Sequence, residues 1–213
     1  MEEKTALILP EYIKLNSFER KKHRIYLDDE KFAFADTEIS LSHISDLKFG
    51  LKMMQFHLFS LGRKYSFSVK SLEKEIELVF KSYFGLGNNY FDTLYHQILD
   101  AVWDRVADRL LAEKIQELKS EKGLSVGNCV IRTAGITIYQ QSFFSEKAAF
   151  ISWQDLTYKK NYNRLSVYSK TNSQIWTNLF FTENWNVEFL MHILDWLYEQ
   201  NGLAELKTDK TDQ

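Results

Sequence analysis

Gly123-Leu-Ser-Val-Gly127 carries the Gly-x-Ser-x-Gly pattern of serine hydrolases. In those enzymes the serine sits on a sharp turn that leads from a strand into a helix. Here the order is reversed: helical periodicity precedes the motif and strand-like residues follow it. The segment therefore reads as a helix-to-strand turn, with Gly123 and Gly127 supplying backbone freedom. Asp100 and Asp195 hold matching places in two similar helical stretches and could form a carboxylate pair for proton transfer. Their neighbours instead predict the solvent-facing edges of those helices. His23, His43, His57, His96 and His192 show no His-x-x-x-His or Glu-x-x-His spacing, so no metal site is expected. The single Cys129 excludes an internal disulfide and lies in a strand-like run, where a buried, inert thiol is expected. No glycine-rich phosphate loop is present, and no cofactor is expected.

Three groups of cations could meet an anion or a lipid headgroup. The densest is Arg20-Lys-Lys-His-Arg24, which offers Arg20, Lys21, Lys22 and Arg24. Lys159, Lys160 and Arg164 lie beside Tyr162, and Arg132 stands next to the turn Thr133-Ala-Gly135. The competing reading of the first group is a solvated approach to a strand, balanced by Asp28-Asp-Glu30 just beyond it. The formal net charge of −2 supplies no general field for nucleic acid.

The 213 residues are 45% apolar, 26% charged and 15% aromatic. That many rings can fill two small cores, because each buries a large area. The beginning, Met1-Glu-Glu-Lys, is acidic where a secretory signal is basic. No stretch reaches the length of apolar sequence that a membrane span requires, and a cytoplasmic location is expected.

Period-two alternation predicts strands at 24–27, 31–35, 39–41, 47–49, 53–59, 65–69 and 75–80, with a short one at 6–9. Leu61-Gly-Arg-Lys64 reads as a hairpin loop. Asn88 or Asn89 is suited to cap the helix that follows, in which Leu94, Ile98, Val102, Val106 and Leu110 recur at helical spacing. The more charged continuation over 112–122 reads as an exposed helical connector. A second series of strands then leads to a last helix over 186–200, capped by Gly202. The halves align by hand. Ser42-His-Ile-Ser-Asp-Leu-Lys-Phe49 lies against Ile151-Ser-Trp-Gln-Asp-Leu-Thr-Tyr158, Phe32 and Phe34 against Ile136 and Ile138, and Ile98-Leu-Asp100 against Ile193-Leu-Asp195. An internal repeat follows from these anchors.

This order resembles the pleckstrin-homology-like fold, particularly its small bacterial members. The residues that carry the resemblance are 39–49, 150–158 and the two Ile-Leu-Asp helices. It implies an α+β chain of two bent antiparallel β-sheet domains, each closed by a C-terminal helix. The expected organisation is a lead-in at 1–20, domains at 21–111 and 123–203, a helical connector at 112–122 and a disordered tail at 204–213. Family members that bind phosphoinositides use Lys and Arg in the loop joining the first two strands. With 24–27 and 31–35 as those strands, the loop in the first half is Asp28-Asp-Glu30, which repels phosphate. The second half offers only Arg132 there. The expected function is a non-enzymatic protein–protein interaction or scaffolding module with an unidentified protein partner. Homo-oligomerisation is compatible with it, and nucleic acid is not expected. A weak anionic-lipid or membrane-surface role for the basic loops is the alternative, and an enzyme without a recognisable motif is the third.

Overall fold

A computed structural model describes residues 9–142 and 145–199. The chain divides into two compact units, Met1–Asp108 and Arg109–Gln213. Among the described residues it is α+β, with four antiparallel sheets and two α-helices. The sequence-predicted strand at 6–9 and the tail at 204–213 lie outside the described residues, save Leu9.

In the first unit, β1 (Tyr12–Ile13), β2 (His23–Leu27), β3 (Lys31–Phe34) and β4 (Thr37–Ser40) form one sheet in chain order. Then β5 (Asp46–Phe56), β6 (Phe59–Lys70) and β7 (Glu75–Tyr83) form a second. Helix α1 (Asn88–Lys119) follows. Alternation builds the core: Ile76, Leu78 and Phe80 of β7 are buried, while Glu75 and Glu77 face water. Phe32 of β3 meets Phe67 of β6 edge-on, with ring centroids 6.0 Å apart, and so joins the two sheets. Phe91, Leu94, Tyr95 and Ile98 of α1 are buried with them, and the Phe91 ring lies 6.4 Å from Tyr65 and 6.3 Å from Phe80.

The second unit repeats this order. A four-stranded sheet comprises β8 (Leu124–Val126), β9 (Cys129–Arg132), β10 (Gly135–Ser142) and β11 (Ser145–Ser152). A three-stranded sheet comprises β12 (Leu156–Asn161), β13 (Arg164–Ser169) and β14 (Trp176–Phe180), and α2 (Val187–Glu199) completes the unit. Phe32 of β3 stands opposite Ile39 of β4, as Ile136 of β10 stands opposite Ile151 of β11. The matched aspartates also hold like places: Asp46 pairs with Lys70, and the Asp155 carbonyl accepts from the Lys170 amide at 2.8 Å. The first unit adds a 3-10 turn, Leu41–His43, between β4 and β5. That addition sets Ile39, rather than Ser42, level with Ile151.

Several local expectations change. The hairpin turn is His57-Leu58, because Phe56 pairs with Phe59, and Leu61 to Lys64 lie inside β6. Asn88 is the first residue of α1 and its Oδ1 has no hydrogen-bond partner, so it supplies no cap. The second half of α1 is not an exposed connector: Leu118 is fully buried in the core of the second unit, with Leu111 and Ile115 packed against that core. Lys114 is also buried and pairs with Glu117 at 2.8 Å. The described part of the lead-in, residues 9–20, supplies β1 and runs beside β7, where the Lys81 amide donates to the Leu15 carbonyl at 2.9 Å.

Helix α2 buries Val187, Phe189, Leu190, Ile193, Leu194 and Leu197. Polar bonds from its surroundings fix its rotation. The Tyr158 hydroxyl donates to Asp195 at 2.7 Å, and the Tyr198 hydroxyl to the Trp153 carbonyl. Burial alone pushes the Cys129 thiol up to about 12. In native protein in mildly alkaline buffer, Cys129 is therefore expected to resist Ellman's reagent, and to react fully once denaturant is added. Rapid reaction without denaturant would contradict this burial.

Candidate binding groove and basic surfaces

A groove of about 440 Å³ opens beside the start of α1. Its walls include Pro10, Tyr12 and Lys22 from the N-terminal segment, Leu86 just before α1 and Tyr90 in the first turn of α1, with Phe91 beneath. Ser17 fastens the two walls together. Its hydroxyl donates to the Leu86 carbonyl at 2.6 Å and accepts from the Tyr83 amide at 3.0 Å. Phe18 stacks on Tyr83 at 5.7 Å. Tyr12, Leu86 and Tyr90 remain exposed, so the groove presents rings and an aliphatic side chain beside the Lys14 and Lys22 cations. Its volume suits a side chain or a short peptide.

The basic residues singled out from the sequence have different surroundings. Arg20, Lys21 and Lys22 are exposed in the connection between β1 and β2. This connection, rather than Asp28-Asp-Glu30, joins the first two strands; the sequence reading missed the two-residue β1. Arg24 lies 3.6 Å from Glu11. Arg132 donates from Nε to the Glu121 carbonyl at 3.3 Å. Lys159 is exposed on β12, where Lys160 lies 3.5 Å from Glu188. Arg164 begins β13 with its guanidinium 5.9 Å from the Phe180 ring, and its buried Nε has no hydrogen-bond partner.

The acidic loop is a structural device. Asp28 accepts from the Tyr26 hydroxyl at 2.8 Å and from the amides of Glu30 and Lys31 at 2.8 and 2.7 Å. The Tyr26 bond first, then the two amides, hold its carboxyl below the usual range. Asp29 pairs with Arg105 of α1 at 3.0 Å.

The candidate catalytic residues differ in their surroundings. Ser125 is exposed on β8 between the inward-facing Leu124 and Val126. Asp100 is exposed, whereas Asp195 is half-buried on the Tyr158 hydroxyl. Among the described residues no three His, Cys, Asp or Glu side chains form a group able to hold a metal ion.

One surface escaped the sequence reading. The β5–β6 ribbon runs past the end of β7, whose last pairing is Gly62 with Tyr83. Its tip exposes Phe56, Leu58 and Phe59. From Leu47 to Leu72 the chain holds Lys48, Lys52, Arg63, Lys64 and Lys70 and no carboxylate. That acid-free run is the signal that could have revealed it.

Comparison with family models, with curated proteins and with solved structures gives no match. Among the described residues no helix is long and apolar enough to cross a membrane.

Proposed function

We propose that each unit is a pleckstrin-homology-like domain with a bent sheet closed by its helix, and that the chain is a non-enzymatic scaffold acting through protein–protein contact in the cytoplasm. The shared order of four strands, three strands and a helix supports the domain reading. The groove between the N-terminal segment and α1 carries the functional one. Its occupant is a partner segment that places an apolar side chain against Tyr12, Leu86 and Tyr90, with an acidic group near Lys14 and Lys22. A bait of the whole chain with an aromatic photo-crosslinker in place of Tyr12, an exposed ring of the same groove, should capture a partner from native lysate. Tyr90→Ser and Lys22→Glu baits should each lose that same partner at unchanged thermal stability. Retention of the same proteins by all three baits would sink the proposal.

One observation favours a second reading, anionic-lipid contact. The β1–β2 connection is basic through Arg20, Lys21 and Lys22, although its acidic neighbour loop had argued against phosphate. Steep weakening by salt separates this reading from an apolar protein contact.

A further inference from the structure

The outer face of the three-stranded sheet in the second unit carries rings that its architecture does not require. Leu165, Val167 and Leu179 are buried in the core, so the alternate residues of β12, β13 and β14 face outward. They fall into three cross-strand rows. Tyr168 stands directly opposite Trp176, with Thr157 on its other side. Ser166 stands between Lys159 and Asn178, and Arg164 between Asn161 and Phe180. Trp176 is 53% exposed and Tyr168 37%. The first unit provides the comparison. The outward residues of β7 are Glu75, Glu77, Val79 and Lys81, and from Lys64 to Lys70 those of β6 are lysines and serines. The matching face there forms without a ring on either strand. Two adjacent rings left in water on the second unit therefore mark a contact surface.

The polar groups between the rings indicate the ligand. No carboxylate stands in any of the three rows. Among the described residues no acid pairs with Lys159 or Arg164, whereas Lys160, on the other side of β12, lies 3.5 Å from Glu188. The Asn161 side-chain amide donates to the Ser166 hydroxyl at 3.1 Å, and that hydroxyl donates to the Asn178 Oδ1 at 2.7 Å. This relay leaves the Asn178 side-chain N–H groups to donate and the Asn161 Oδ1 to accept. A neutral sugar would use the rings and amides but neither cation. An acidic peptide would use the cations but not the paired rings. A strand of unpaired nucleotides uses all three, because its bases stack on rings, its phosphates meet cations and its base edges both donate and accept. The net charge of −2 governs attraction at long range. Contact at this face is set by the groups within it, and stacking needs no field.

We propose that this face binds single-stranded nucleic acid, with bases stacked on Trp176 and Tyr168, phosphates against Lys159 and Arg164, and base edges on the two asparagine amides. The length fits. Trp176 and Phe180 lie at the two ends of β14, about 13 Å apart along the strand. That is the span of about four stacked nucleotides at roughly 3.4 Å each. A duplex is excluded, because its base faces are already covered by one another. The proposal does not depend on the groove of the first unit, which uses other residues.

Fluorescence anisotropy of short labelled oligonucleotides, titrated with the whole chain, tests it. At low salt the protein should bind oligouridylate or oligodeoxythymidylate, and bind a DNA duplex of the same length much more weakly. Tighter binding of the first assigns the face to RNA and of the second to DNA; either supports the proposal. Two phosphate contacts predict a slope of about −1.4 for log affinity against log salt, and Lys159→Gln should bring it to about −0.7. Trp176→Ala should weaken binding about tenfold, while Trp176→Phe, which can still stack, should retain most of it. These variants should keep their thermal stability, since both positions are exposed. The proposal fails if neither single strand binds, if the duplex binds as tightly, or if Trp176→Ala and Lys159→Gln both behave as wild type. It also fails if a neutral oligosaccharide binds in place of the oligonucleotides. Loss of binding only on replacing Arg20, Lys21 and Lys22 with Gln would overturn it too, by placing the contact on the β1–β2 connection.

Discussion

Replacing Leu194 with Ala is expected to lower the unfolding free energy of the second unit by about 2–5 kcal/mol, the range for truncating a buried leucine. Leu194 is fully buried on α2, among side chains of both sheets of that unit. The matched position in α1, Leu99, is only half-buried, while its neighbour Ile98 is fully enclosed. Leu99→Ala should therefore cost less, about 1 kcal/mol, because part of the side chain already meets water. Urea unfolding followed by fluorescence reads both. Equal losses at the two positions would mean that the helices do not bury the faces described above.

Gly62→Ala should be still more disruptive to the first unit than its size suggests. The residue has φ of +140°, which side chains rarely adopt. An added Cβ would lie 1.8 Å from the Ser82 carbonyl oxygen and 2.8 Å from its carbon. Backbone must move, and a loss of about 3 kcal/mol or more is expected from the conformational penalty and the clash together. Gly85→Ala is the control. Its φ is +79°, but its nearest neighbour is the Asn88 Nδ2 at 4.0 Å, so only the conformational penalty of about 1 kcal/mol applies. If the two variants melt alike, crowding at the β6–β7 junction is not what requires glycine.

Strands with one wet face were legible in the sequence. In β7 the acids and apolar residues alternate, and in β3 the rings recur at every second position. The turn of the β5–β6 hairpin was not, because His57-Leu58 contains no Gly, Asn or Pro, and the nearby Gly62 drew the turn toward itself. Gly62 serves instead as a point where two backbones touch. The buried end of α1 was hidden by composition: Leu111, Ile115 and Leu118 have helical spacing, but charged residues surround them and Lys114 is buried through its pairing. The basic clusters found by reading along the chain are contiguous ones, and most of their members proved exposed or engaged with local acids and carbonyls. The outward face of β12 to β14 is assembled across three strands, so it exists only once register is known.

Among the described residues every pairing between the strands β1 to β14 joins strands that follow one another in the chain, the isolated bridge from Asn16 to Lys81 lying outside them. The loops that must close to form each ladder are therefore short, and the entropy of closing them is correspondingly small. Chains rich in such local pairings cross their folding barrier faster than those that must first bring distant segments together. During synthesis the first seven strands can zip in the order in which they leave the ribosome, and α1 arrives last to cover them. The continuation of the same helix from Arg109 belongs to the second unit, so Leu118, a member of that unit's core, has been made before any of the unit's strands.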